Sequence, residues 1–296
     1  MKFVTFRLSG VVRAGVVACD RGEDEIVDLA HPSMAGALCG LEPQISAFLA
    51  FGLAEVSNNI RSHGLSLSAR LPMRGVELMA PLPRPKRIFG VAHNYSDALA
   101  ERGMAAPAEP VLFRKGIETV IAPNEAIILP SGIGGVTYEA ELAVFIGRRA
   151  DCIDKARALA YVAGYSVFND ITASEVIRQD GNYDRGKNYD TFGPFGALFV
   201  TSDEVTDPQA LRVSLSVDGK ILQDGSTRDM VFSVADLVSY LSHRQPLEPG
   251  DIIATGTPAG VASMHRPRAW LRPGSLVQVS IEKLGSLDNP VVATAL

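Results

Sequence analysis

The chain has 296 residues, 47% of them hydrophobic and 21% charged, with a formal net charge of −5. That length supports one large domain, or a large domain with a small companion, and enough apolar material for a sizeable core. The acidic balance speaks against a nucleic-acid binder, which carries a basic stripe or patch.

The densest basic segment with an aromatic, RPRAWLR at Arg266–Arg272, reads as a surface loop, with a rim contact to an anionic substrate as its other use. Cys19, Cys39 and Cys152 are odd in number and lack C-x-x-C spacing, which suggests a reducing compartment and no zinc site. Lys2, Arg7 and Arg13 interrupt the N-terminal apolar run, so it lacks a signal-peptide core. The uncharged run IIATGTPAGVASM near the C-terminus is too short to cross a bilayer. The expectation is a cytoplasmic protein with no membrane partner.

In chain order, the first 30 residues read as short strands joined by Gly turns, and residues 43–63 as helical. Pro72, Pro81, Pro83 and Pro85 then mark a linker, because proline fits neither a helix interior nor a central strand. The expected division is a small N-terminal domain over 1–80 and a catalytic domain over 81–296. Beyond the linker, AIILP, ELAVFIG, YSVFND, ALFVT, RVSLSVDGKIL, DIIATGT and SLVQVSI have strand character, with Asp218-Gly219 as a type I′ hairpin turn. Two helices are expected: DKARALAYVAGY with Asp154 as N-cap, and SVADLVSYLSH with Ser233 and Asp236 as a capping box. Strands outnumber helices without regular βαβ alternation, which predicts an α+β, mostly β architecture.

The stretch VTYEAELAVFIG carries Glu139 and Glu141 in an otherwise apolar strand. Side chains on a strand alternate faces, so the two acids share one face, with Cβ atoms roughly 7 Å apart. Adjacent carboxylates repel, and burial raises that cost, so a positive charge is expected between them. A hard divalent cation is the simplest candidate, with Asp170, where GYSVFNDIT leaves its strand, as a third oxygen ligand. The other reading puts both glutamates on a solvent face and makes Asp170 a helix cap.

Lys187 and Asp190 lie in the Gly- and aromatic-rich YDRGKNYDTFGPFG, where a lysine could bind a carboxylate or an enolate oxygen, or simply sit in a surface loop. Thr255, Gly256 and Thr257 form a strand-end loop whose N–H groups and hydroxyls could approach an anion, or only make a tight turn. GIGG at Gly132–Gly135 is a Gly cluster with neither Lys-Ser/Thr nor a following helix, a weak nucleotide-site signal.

Seven segments in order resemble the fumarylacetoacetate hydrolase family: RIFGVAHNYSDALAE, PVLFRKGIETVIAPNEAIILP, VTYEAELAVFIG, GYSVFNDIT, RGKNYDTFGPFG, VDGKILQDGSTRDMVFSVADLVSYLS and LEPGDIIATGTPAGV. The resemblance runs over roughly residues 85 to 285. It implies a two-domain, bacterial-type member: a mixed β-roll catalytic domain with a small N-terminal α/β accessory domain, assembled as a homodimer. It also implies Mg²⁺ or Mn²⁺ held by Glu139, Glu141 and Asp170. Lys187 would be an active-site cation, and Thr257, Gly256, Tyr95 and Asp190 substrate contacts.

The chain departs from the family pattern at two places. Ala98 in NYSDALAE stands where a catalytic His is expected, while Glu101 keeps the following Glu and His93 lies five residues earlier. A hydrolase needs a base within reach of the attacking water, so Glu101 alone or with His93 is the candidate. After Asp170, Ser174 and Ile177 replace an expected Arg and Gln, with Arg178 and Gln179 nearby but out of register, which removes a bidentate carboxylate contact. His243 reads as structural.

The implied reaction is on a 2-oxo or β-diketo acid, with C–C hydrolysis of an acylpyruvate-like substrate leading. Ala98 keeps decarboxylation, isomerisation or dehydration open. A family member that only binds such a ligand is a third, non-enzymatic reading.

Overall fold

The computed structural model describes residues 1–18 and 24–294; Cys19 and the Gly22 turn lie outside them. An 11-stranded sheet forms the backbone of the molecule. Its N-terminal half holds strands Lys2–Leu8, Val11–Ala18, Glu25–Asp28, Arg70–Pro72 and Glu77–Met79. Lys2–Leu8 then pairs antiparallel with Leu198–Thr201, with Phe3 opposite Phe199, and the sheet continues through Val162–Asn169, Ala140–Ile146, Ile252–Ala254, Ile88–Ala92 and Val111–Lys115. The strands before residue 80 and those after it therefore share one hydrogen-bonded sheet. Pro81 packs into it, its carbonyl accepting from Thr5 Oγ1 at 2.7 Å.

Strand Ala140–Ile146 is buried along its whole length. The alternation explains how. Leu142, Val144 and Ile146 face one apolar cluster, which also holds Val213, Leu215, Val277 and Val279 from a second, five-stranded sheet. Ala143 and Phe145 face the other cluster, under helices Ile45–Phe51 and Leu53–His63. A strand covered on both faces reads as a continuous apolar run, and the two acids stand out against that run.

The helical reading of 43–63 holds, with a break at Gly52, whose φ of 132° suits glycine alone. The capping box of Ser233 and Asp236 opens helix Val234–Arg244. The Asp218-Gly219 turn has both residues at positive φ, as a type I′ turn requires. The helix expected over DKARALAYVAGY is shorter. It runs Lys155–Ala158 with a 3-10 turn to Tyr161, and Asp154 sits at its N-cap without a side-chain bond. Val162–Tyr165 instead pairs with Ala140–Ile146, so sheet partners override local helix preference there.

Cys39 and Cys152 are free, exposed thiols. No helix among the described residues is long and apolar enough to cross a membrane. Gly134 and Gly135 of GIGG serve close packing: a Cβ at Gly135 would lie 2.3 Å from the Trp270 ring, and one at Gly134 would meet Glu175.

Candidate metal centre and its cavity

Glu141 lies inside strand Ala140–Ile146, and Glu139 precedes it in an irregular step. The Asp170 N–H donates to the Glu139 carbonyl at 2.9 Å, and the Glu139 N–H donates to Asn169 Oδ1 at 3.0 Å. These bonds tie the end of one strand to the start of its neighbour. They bring one carboxylate oxygen from each of Glu139, Glu141 and Asp170 within 4.8 Å of the others. Two lysines meet this cluster. Lys187 Nζ, from the short helix Asp184–Lys187, donates to Glu139 Oε2 at 2.8 Å and Asp170 Oδ2 at 2.5 Å. Lys115 Nζ, at the end of its strand, donates to Asp170 Oδ1 at 2.6 Å and to the Ile171 carbonyl at 3.1 Å. The third acid, Glu141, accepts only the Gly256 N–H among the hydrogen bonds here, at 2.9 Å.

The electrostatics follow from this division. Burial pushes the Glu141 carboxyl well above its ordinary range, Asp170 pushes it further, and Lys187 only partly opposes them. Burial acts the same way on Asp170, but Lys115 and Lys187 outweigh it and hold the group below its ordinary value. Burial brings Lys115 down to about 8 against the pull of Asp170. Lys187 rises, because Asp170, Glu139 and Glu141 together overcome its burial. Three acids face two lysines, and Glu141, the acid that no lysine bonds, is the one whose ionisation burial and its acidic neighbours oppose until a further positive charge arrives. The donors are all carboxylate oxygens, which suits a hard divalent cation and not a thiolate- or imidazole-seeking metal. The residues present fit such an ion.

The cluster opens into a cavity of about 60 Å³. Glu139, Glu141, Lys187 and Thr257 form one wall. Ala98, Leu99 and Arg102, from helix Ser96–Arg102, form a second part of the lining, and His93, Tyr183 and Ile177 line it as well. Asp170 is fully buried behind the acidic wall. Thr257 Oγ1 accepts from Gln223 Nε2 at 2.8 Å, which leaves its own proton to donate elsewhere.

His93 is held at φ 58° beside Asn94, whose side chain bonds Thr255 and Phe232. Burial lowers the His93 pKa, and Arg102 and Lys187 lower it further, so the ring is neutral at pH 7. Arg102 approaches Nδ1 at 3.3 Å, so Nδ1 is the acceptor and the Nε2–H donates to Tyr183 Oη at 3.0 Å. Tyr183 stacks on Phe113 with ring centroids 5.2 Å apart, and the Lys187 ammonium lies 4.8 Å from the centre of the Phe113 ring.

The other sequence candidates lie elsewhere. Glu101 is exposed and does not line the cavity; its Oε2 accepts the Gly260 N–H at 3.0 Å, while Asp97 Oδ2 accepts that of Ala259 at 3.1 Å. The two acids tether the helix to the loop after Thr257. Tyr95 is wholly buried and Asp190 exposed, and neither lines the cavity. Gly256 contributes its N–H to Glu141 and no wall. Arg178 and Gln179 are exposed, and so is His243, whose Nδ1 bonds the Ser239 carbonyl at 2.9 Å.

Lys115 and Arg102 are absent from the sequence reading. Lys115 left a signal: it falls two residues after Phe113, on the same strand face, where a buried cation demands an acid. Arg102 left none.

The family model described as fumarylacetoacetate (FAA) hydrolase C-terminal matches residues 87–292. A relative from Burkholderia multivorans is 46% identical over 221 residues, 73% of this chain and 78% of its own length. Two solved structures are similar over nearly the whole of both chains. The 5-carboxymethyl-2-hydroxymuconate delta-isomerase of Mycobacterium smegmatis is 28% identical with a TM-score of 0.78, covering 99% of this chain and 100% of its own. The maleylpyruvate hydrolase of Sphingobium sp. SYK-6, in complex with manganese(II) and pyruvate, is 28% identical with a TM-score of 0.80, covering 100% of both chains. The chain belongs to the fumarylacetoacetate hydrolase family.

Proposed function

We propose that the protein is a divalent-metal-dependent enzyme acting on a 2-oxo or β-diketo acid, with hydrolysis of a carbon–carbon bond in an acylpyruvate-like substrate as its leading reaction. The observation that carries this is the convergence of carboxylate oxygens from Glu139, Glu141 and Asp170 within 4.8 Å of one another beside a cavity. These three residues would hold Mg²⁺ or Mn²⁺. When bound, such an ion supplies Lewis-acid polarisation of substrate oxygens. The similar maleylpyruvate hydrolase, solved with manganese and pyruvate, supports that choice.

The chain's own residues do the rest. Thr257, its oxygen engaged by Gln223, donates its proton to the substrate carboxylate. Lys187 supplies a fixed positive charge beside the oxygen that becomes anionic. His93 and Tyr183 form a hydrogen-bonded pair in the lining, able to hold a proton at Tyr183 Oη. The cavity's volume matches about two waters' share of the liquid, so a carbon-chain acid enters only if helix Ser96–Arg102 moves outward, releasing the Asp97 and Glu101 tethers.

A second reading is favoured by Ala98, which forms cavity wall where a base is expected, and by the position of Glu101 outside it. Without activated water, an enolate would be protonated elsewhere or formed by decarboxylation, giving an isomerase, decarboxylase or dehydratase. The similarity to an isomerase agrees with this.

The test offers an acylpyruvate and oxaloacetate with Mg²⁺ or Mn²⁺, then repeats each reaction with chelator. Cleavage of the acylpyruvate favours hydrolysis, and loss of CO₂ or a shifted double bond favours the second reading. If nothing turns over and chelator changes neither stability nor ligand binding, the proposal fails.

A further inference from the structure

We propose that Arg102 is the specificity-determining residue of this cavity, receiving a second carboxylate at the end of the substrate remote from the 2-oxo acid group. The inference rests on the reading above and deepens it from a 2-oxo acid to a dicarboxylic one.

Arg102 is half-buried and lines the cavity, yet among the described residues it forms no ion pair. Its one hydrogen-bond partner is the neutral His93 Nδ1. Other arginines of comparable burial are matched with acids: Arg13 with Asp28, Arg70 with Glu25 and Arg87 with Asp251. A guanidinium withdrawn from water toward an enclosed space, without a carboxylate, is an anion receptor waiting for its partner. The adjacent Glu101 could have paired with it but is committed to the Gly260 N–H.

Position supports the assignment. Lys187, Thr257, Glu139 and Glu141 line the same cavity as Arg102, so a substrate anchored at them by its 2-oxo acid end lies in one enclosure with the guanidinium. The wall at Ile177 is apolar, and Ser174 supplies no cation, so Arg102 is the cation available on the helix side. His93 fixes the guanidinium through one N–H and leaves its other donors to form a bidentate contact.

The experiment compares two acids of equal length, 2-oxoglutarate and 2-oxopentanoate, which differ in the distal carboxylate. Binding to the Mn²⁺-loaded full-length protein is measured by calorimetry. Wild type should prefer 2-oxoglutarate by about 30-fold, the worth of a charge-assisted hydrogen bond. Arg102→Leu should shrink that preference to about threefold or less, and Arg102→Lys, which keeps charge without the fork, should fall between. Equal melting temperatures of the variants and wild type exclude misfolding as the cause. The proposal is overturned if wild type binds both acids equally or if Arg102→Leu keeps the full preference. If neither acid binds wild type, the 2-oxo acid reading falls with it.

Discussion

The acidic wall of the cavity is anchored on two neighbouring inner strands of an 11-stranded sheet, at Glu141 and at the strand ends beside Glu139 and Asp170, whereas the second wall is a seven-residue helix held by two carboxylate tethers and followed by a left-handed Gly103. On the first wall every charged group is answered: Asp170 by two lysines, Glu139 by Lys187, Glu141 by a backbone N–H. On the second, Ala98 offers nothing polar and Arg102 has no acid among the described residues. On the function proposed above, the contrast separates two jobs. A charge cluster that holds a metal needs a rigid, dry frame, which only the sheet interior supplies. A wall that selects substrates must open to admit them, so it is made of few residues with few bonds. Both departures from the family pattern reach the cavity lining, at Ala98 on that helix and at Ile177 on helix Ser174–Asp180.

The largest expected effect tests the first wall. Asp170→Asn leaves Lys115 buried without its acid and Lys187 with Glu139 as its bonded acid, which should cost about 3–5 kcal/mol of stability, the usual penalty for breaking a buried pair. It should also lower metal-dependent turnover by at least about 100-fold. Urea unfolding and steady-state kinetics at saturating Mn²⁺ read the two effects. Adding Lys115→Met should restore part of the lost stability, because it removes one orphaned charge. A variant as stable as wild type would show that the acidic wall is not an interdependent charge cluster.

The next test is aimed at the other wall. Ala98→His places an imidazole where a water-activating base belongs and should raise acylpyruvate hydrolysis by about 100-fold, the low end for a positioned general base. If wild type already hydrolyses well and the substitution only slows it, the second wall activates water by another group, and the contrast between the walls is weaker than drawn.

How much of this was legible in the sequence follows the same line. The acid triad was readable because two glutamates at the start of an apolar run violate the pattern that burial imposes, although only Glu141 lies within the doubly buried strand itself. Lys115 violates it in the same way, three strands further along the sheet, but at a strand end, where a lysine looks like a boundary. Arg102 could not be read, since its importance is the lack of an acidic partner among the described residues, and only three-dimensional placement reveals a lack.

In the fold, the capping box and the Asp218-Gly219 hairpin are local devices and were legible. Strand Gly285–Ala293 was not, because Gly285, Asp288, Asn289 and Pro290 are poor strand formers. Pro290 is tolerated because pairing passes there from strand Leu276–Ile281 to strand Ile127–Leu129. The helix Ser96–Arg102 was likewise missed; it is short and has no side-chain cap.

A smaller effect joins the two walls through Gly256. Its φ of 95° and the 3.0 Å approach that a Cβ would make to the Val91 carbonyl leave no room for alanine. Gly256→Ala should cost about 1–3 kcal/mol by strain at a left-handed position. Since the same N–H supports Glu141, metal affinity should fall with stability. A variant that loses stability but keeps wild-type metal affinity, measured by calorimetry, would show that Glu141 is positioned by its strand alone.

The smallest effect concerns His93, which lines the same cavity. Its folded pKa lies below the ordinary 6.5, first because of burial and then because of Arg102 and Lys187. Between that lowered value and 6.5 the unfolded chain binds the proton that the folded protein refuses, so stability rises with pH across this window. The contribution is fully present above 6.5 and is lost as pH falls through the folded pKa. Protonation also removes the Nδ1 lone pair that accepts from Arg102 and sets two cations side by side. His93→Gln has no proton to take up, so its stability should fall less steeply on acidification. Unfolding midpoints of the two proteins should differ most near pH 8 and converge toward pH 5. Parallel curves would mean that the imidazole takes up its proton in the folded protein as easily as in the unfolded chain. Its tautomer, and the orientation it gives Arg102, would then not be fixed by the cavity.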